Sequence, residues 1–148
     1  MQNPETRRFK NAICRKPSRS LVEGITSAPH LGKPDYDLAV AQHADYMEAL
    51  KECGLTVTVL EADENYPDSV FVEDNALIAS DKCAIISNPG APSRKGEVAN
   101  MIPTIESFYK DGVERIVDPG TCEPGDIMMV GNHFYIGLSK RTNQEGAN

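Results

Sequence analysis

The sequence has no apolar run long enough to span a bilayer, and its first residues, Met1-Gln2-Asn3-Pro4-Glu5-Thr6-Arg7-Arg8, form no signal-peptide hydrophobic region. It also has no C-x-x-C pair. Cys14, Cys53, Cys83 and Cys122 stand about 30 to 40 residues apart, a spacing that points to neither a zinc site nor a disulfide framework. Basic charge is in deficit. A net charge of −7 and a pI near 4.9 leave no basic face for phosphate, which argues against nucleic acid as a partner. These absences lead to the expectation of a cytoplasmic protein with reduced thiols, no metal site and no membrane segment.

What is present describes a folded chain. At 148 residues, 40% hydrophobic and of mixed charge, it is one domain by length with enough apolar residues for a core. Strands and helices alternate along it. Asn11 to Arg15 reads as a strand, followed by a Ser-, Gly- and Pro-rich loop to about Pro34. Asp35 or Asp37 can cap a helix whose stripe of Val40, Ala44, Met47 and Leu50 is expected to be core, with Gly54 as its stop. Thr56 to Leu60, Ala76 to Ala79, Cys83 to Ser87 and Val113 to Val117 are further strands. Ser93 is placed to cap a helix ending near Tyr109, which Pro103 should kink or divide. Asp126 to Val130 and His133 to Gly137 form a hairpin across Gly131-Asn132.

The most informative stretch is Pro67-Asp68-Ser69-Val70-Phe71-Val72-Glu73-Asp74, where three carboxylates interrupt an apolar run. Read as an extended strand, or with Glu73 turning at a bend, it carries negative charge to its own end. Carboxylates beside Val and Phe are costly unless a cation meets them, and that cation could be internal or a substrate. Positive charge follows in Ser93-Arg94 and Ser139-Lys140-Arg141. Clustered acids with two arginines suit a zwitterionic ligand with a cationic tail, such as an arginine derivative. On residue types alone, Asp68, Glu73 and Asp74 would more often be solvated loop acids or ion-pair partners of Arg94 and Arg141.

The chain also repeats itself. Glu73-Asp74 precedes two strands and Ser93-Arg94-Lys95-Gly96-Glu97; Glu123-Pro124-Gly125-Asp126 precedes two strands and Ser139-Lys140-Arg141. A period near 50 residues predicts ββαβ modules, in repeats of roughly 9–60, 61–117 and 118–148. After the cap signal of Thr142 or Asn143, too few residues remain to build a helix, so the sequence reads as cut. Two to three modules are too few to close a ring, and the exposed edges would call for self-association or a complementing C-terminal chain.

Arg19-Ser20-Leu21-Val22, Gly32-Lys33-Pro34-Asp35-Tyr36, Pro67 to Asp74, Pro89-Gly90-Ala91 with Ser93-Arg94, Gly125-Asp126-Ile127-Met128-Met129-Val130 and His133-Phe134-Tyr135-Ile136-Gly137 together resemble the bacterial dimethylarginine dimethylaminohydrolases. The similarity runs from Phe9 to Asn148 and matches the N-terminal part of that family's fold. It implies an α/β class, a pseudo-fivefold α/β-propeller of ββαβ modules, with this chain the N-terminal part of a single catalytic domain. It implies hydrolysis of methylated arginines to citrulline and methylamines through a cysteine thiolate and a histidine, with no cofactor. By motif, Asp68 resembles the residue holding the substrate α-ammonium, Glu73 and Asp74 the pair gripping the guanidinium, and Arg94 and Arg141 the clamp on the α-carboxylate. Glu123 resembles the acid that orients the catalytic histidine, and Ile25 falls on the lid loop.

Pro124 stands where the family has a small residue, stiffening the turn beside Glu123. None of His30, His43 and His133 matches the histidine motif, and no cysteine matches the nucleophile; Cys122 reads as a small residue on a turn. The chain alone is therefore expected to be inactive. A related arginine deiminase or amidinotransferase is an alternative, the former disfavoured by the lack of a long helical insertion. A non-catalytic guanidine-binding or scaffold remnant is another.

Overall fold

The computed structural model describes residues 9–148, so the reading of Met1 to Arg8 lies outside the described residues. The chain separates into two compact units, one ending at Val70 and one spanning Phe71–Asn148.

In the first unit, β1 (Asn11–Arg15) and β2 (Thr56–Leu60) pair in parallel, with Asn11 opposite Thr56 and Arg15 opposite Leu60. Parallel strands need a crossover, and α1 (Tyr36–Glu52) supplies it. Asp35 is its cap, the carboxylate accepting from the Leu38 N–H at 2.9 Å. The apolar stripe differs from the expected one. Tyr36, Ala39, His43, Met47 and Leu50 are half-buried, whereas Val40 and Ala44 are exposed, and no residue of α1 is fully buried. Spacings of three and four keep the shielded set on one face, and Val40 belongs to the flank. The loop before α1 contains 3-10 turns over Arg19–Glu23 and Pro29–Leu31.

In the second unit, β3 (Ala76–Ile78) pairs antiparallel with β4 (Ala84–Ile86), and β5 (Val113–Arg115) pairs in parallel on the other edge of β4. Between β4 and β5 run a 3-10 helix over Pro92–Asn100 and α2 (Ile102–Phe108). The expected single helix is divided at Met101, the residue at which the first helix closes and α2 opens. Pro103 lies in the first turn of α2, where a missing N–H costs little. Ser93 is not the cap; Ala91 holds that place without a side-chain hydrogen bond. Ala84, Ile86, Ala91, Val98, Met101, Ile105 and Cys122 are the buried apolar residues of this unit.

The acidic segment is not the strand its alternation predicts. Residues 67–70 are a turn and Val72–Asn75 a 3-10 helix. Ser87 explains the bend on the C-terminal side: its hydroxyl donates to the Asp74 carbonyl at 2.6 Å, and its N–H to the Asn75 carbonyl at 3.0 Å. The backbone groups of an extended strand are thereby committed elsewhere.

A second sheet contains β6 (Ile127–Val130) and β7 (His133–Ile136), antiparallel with Val130 opposite His133. Gly131 takes φ +60°, the sign required at the first position of a two-residue hairpin loop. The chain then forms α3 (Gln144–Ala147), one turn of helix where none was expected. Tertiary anchoring replaces length as its support. The Asn143 side chain accepts from the N–H groups of Thr121 and Gly146 at 2.9 and 2.8 Å and donates to the Pro119 carbonyl at 2.8 Å.

Candidate active site

Asp68 and Ile25 meet in the first unit. The Asp68 carboxylate is buried, and its two oxygens receive the Ile25 N–H at 3.0 and 3.2 Å. The loop reaches it through a glycine: a Cβ on Gly24 would lie 2.7 Å from Asp68 Oδ1. The Ile25 side chain is half exposed. The loop backbone thus meets the buried carboxylate directly.

The second unit gathers the other candidates into two charge clusters. In the first, Arg94 is the hub. Its Nη1 donates to Asp74 Oδ2 at 2.5 Å, and Nη2 donates to the Phe71 carbonyl at 3.2 Å and to Glu97 Oε2 at 2.9 Å. Nε completes the fork to Glu97 at 3.1 and 3.2 Å. The side chains of Arg94 and Glu97 are 5% and 1% exposed, against 19% for Asp74, so this is a desolvated triad. Burial alone would lower the Arg94 pKa, but hydrogen bonding and attraction to Glu97 and Asp74 outweigh it and raise the value. Glu73, one residue before Asp74, is exposed.

The second cluster is built on Glu123. Its carboxylate is buried; Oε2 receives Arg141 Nη1 at 2.8 Å, and Oε1 is buried without a hydrogen-bond partner among the described residues. Asp126 fixes the turn that delivers Arg141. One of its oxygens accepts from the hydroxyls of Ser139 and Thr142 at 2.7 and 2.6 Å, while Ser139 Oγ accepts the Arg141 N–H at 2.9 Å. Thr142 Oγ1 in turn accepts the Glu123 N–H at 3.1 Å. Gly90 makes room for the same turn, since a Cβ there would lie 2.4 Å from the Arg141 carbonyl oxygen. Pro124 opens a 3-10 turn, Pro124–Asp126, and leaves the Glu123 carboxylate to face Arg141. The clusters adjoin at Gly125, whose Cβ position lies 3.3 Å from Asp74 Oδ1.

The roles inferred from the sequence fit this geometry unevenly. Asp74, Arg94, Glu123 and Arg141 are brought into one unit, and Asp68 into contact with Ile25. Arg94, expected as a carboxylate clamp, is buried and already bound to two carboxylates, so its charge is compensated inside the protein. Arg141 keeps a more open side chain at 36% exposure. Glu97 and Asp126 were assigned no role in the sequence. The signal for Glu97 was its i,i+3 spacing from Arg94, which in a 3-10 helix aligns two side chains.

Cys122 does not have the surroundings of a nucleophile. It is buried in the wall of an apolar cavity of about 270 Å³, with Leu77, Ile85, Ile116, Ile127 and Ile136. Burial pushes its thiol pKa up, and Asp126 and Glu123 add to this, against a smaller opposing hydrogen bond from Thr142. A reactive thiolate needs the reverse.

The mixed α/β arrangement recurs in the N-terminal domain of ArgZ, an arginine dihydrolase of cyanobacteria. That structure superposes with a TM-score of 0.76 at 19% identity, covering 90% of this chain and 50% of that one, a likeness of fold. Sequence narrows the class. The model described as "N,N dimethylarginine dimethylhydrolase, eukaryotic" matches residues 33–148, and the chain belongs to the dimethylarginine dimethylaminohydrolase family. The N(G),N(G)-dimethylarginine dimethylaminohydrolase of Pseudomonas aeruginosa is 58% identical over 139 residues, covering 94% of this chain and 54% of that protein. A solved structure of the Pseudomonas enzyme, a Cys-to-Ser mutant complexed with citrulline, superposes with a TM-score of 0.91 at 57% identity over 94% of this chain and 54% of the other. The chain thus spans about half the length of the relatives it matches. Among the described residues, no helix is long and apolar enough to cross a membrane.

Proposed function

We propose that this chain carries the substrate-holding part of a hydrolase that converts Nω-methylated arginines to citrulline and a methylamine, and that its sheets are modules of a larger α/β-propeller. One observation carries the assignment of Glu123. A buried carboxylate oxygen without a donor is costly, so Glu123 Oε1 calls for an N–H from a further group. An imidazole N–H meets that need, which is the role the resemblance gives Glu123.

In this scheme a cysteine thiolate bonds to the guanidinium carbon and the methylamine leaves with a proton from the histidine. Water, deprotonated by the same histidine, then displaces the thiolate and releases citrulline. Glu73 and Asp74 hold the guanidinium, Asp68 the α-ammonium, and Arg141 the α-carboxylate. The environment of Cys122 opposes thiolate formation; in this reading, by motif, none of the chain's cysteines and histidines is the nucleophile or the catalytic histidine, and the 148-residue chain alone does not turn substrate over.

The test is citrulline formation from asymmetric dimethylarginine and monomethylarginine by a chain at the full length of its relatives, with arginine as competing substrate. Preferred turnover of the methylated compounds is expected. No citrulline from them would overturn the proposal, as would faster release from arginine. Citrulline production by the 148-residue chain would overturn the division of labour.

A further inference from the structure

We propose that Glu97 is a positioning residue for the guanidinium-binding carboxylate Asp74, acting through Arg94. The inference rests on the function proposed above. Glu97 takes both the Nε and Nη2 edge of Arg94, at 2.9 to 3.2 Å, which fixes the plane of the guanidinium. The Phe71 carbonyl holds the same plane from another side. With plane and position set, the Nη1 direction is set, and Nη1 is the group that meets Asp74 Oδ2. Asp74 Oδ1 then faces Gly125, the residue two places after Glu123.

Burial makes this more than a surface contact. The Glu97 side chain is 1% exposed and cannot be exchanged for water, so its carboxylate determines where the Arg94 charge rests. Without Glu97, Arg94 loses the two-edged contact that fixes its plane, and a tilt of the guanidinium would draw Asp74 with it. A guanidinium held by Asp74 would then move against its attacking group, and a displacement of about 1 Å can cost about 100-fold in rate.

The discriminating experiment compares E97Q with the unsubstituted full-length enzyme on two substrates, asymmetric dimethylarginine and a methylated agmatine lacking the α-carboxylate. The expected result is a loss of kcat on the order of 10- to 100-fold on both, with KM changed less. E97D, which restores the charge on a shorter arm, should recover part of that rate. In a D74N background the E97Q change should add little, because both act through one carboxylate, whereas general structural damage would multiply. Circular dichroism and the unfolding midpoint report folding; if E97Q does not fold, the comparison is made with E97D, whose kcat should still fall.

A kcat unchanged in a folded E97Q enzyme that turns over dimethylarginine would overturn the inference alone. So would a loss confined to the substrate with the α-carboxylate, which would return Arg94 to a carboxylate clamp. Absence of turnover by the unsubstituted enzyme would instead overturn the proposed function, and this inference with it.

Discussion

Replacing Arg94 by Met tests whether the buried triad is a requirement of the fold. Met retains much of the side-chain volume and removes the charge, so the loss reports electrostatics more than a cavity. What remains is two carboxylates in different surroundings. Asp74 is 19% exposed and can turn to water; Glu97 at 1% cannot. Breaking a buried pair by removing one partner costs about 3–5 kcal/mol, and here that cost falls mainly on Glu97. For a unit of this size it corresponds to a fall of roughly 12 °C or more in the unfolding midpoint. R94M, E97L and the double variant would be compared by urea denaturation. The double variant leaves no charge in the Glu97 pocket and should be more stable than R94M. The pH dependence of R94M follows from the same cause. With the Arg94 charge removed, burial holds the folded-state pKa of Glu97 above its unfolded value, so the deficit is absent well below the ordinary carboxylate range. It appears as pH rises through that range to the folded value. A loss in R94M below about 1 kcal/mol, or a double variant weaker than R94M, would refute the reasoning.

Other outcomes follow from the same contacts. Gly24→Ala should disturb Asp68, because the added methyl would lie 2.7 Å from Oδ1; a raised KM for dimethylarginine is expected in the full-length enzyme, and an unchanged KM would separate Asp68 from substrate binding. Arg141→Ala should act chiefly on KM, with a loss on the order of 2 to 4 kcal/mol, and should scarcely change turnover of methylated agmatine. Cys122 should react with iodoacetamide far more slowly than exposed Cys53 at neutral pH, as peptide mapping would show; equal rates would contradict its burial. His43 has a pKa lowered by burial, so the charged form disfavours folding: stability should be full above the ordinary histidine value and fall as pH drops through the folded one. His43→Phe should flatten that slope in thermal unfolding.

Much of the fold was legible because local signals agreed with tertiary demand. β1 and β2 match their apolar runs, Asp35 caps α1, and the Gly131-Asn132 pair closes its hairpin. The failures have particular causes. Alternation in the acidic segment mimics a strand, but Ser87 claims the backbone carbonyls of Asp74 and Asn75 and bends it. Hydrophobicity alone puts Val40 on the α1 stripe, but the face shielded beside the two-stranded sheet leaves it exposed. In the site, residue types announced the acids and arginines but not their pairing. Nothing in the string says that Arg94 turns inward to Glu97 while Arg141 stays half open.

That pairing bears on the question raised by three carboxylates in one short segment: whether the cation they need is internal or supplied by a ligand. Each has a different answer. Asp74 has an internal cation, Arg94, whose charge is shared with Glu97. Asp68 is buried, and its two oxygens receive the Ile25 N–H. Glu73 is exposed, where an ionised carboxylate costs little because water solvates it. A cationic ligand therefore gains unequally from the three. At Glu73 it must displace water from a solvated acid, and at Asp74 it meets an oxygen whose partner is already taken. At Asp68 it meets a buried carboxylate already engaged by the loop backbone. Asp74 thus contributes direction more than charge, which is the property a positioned reacting group requires.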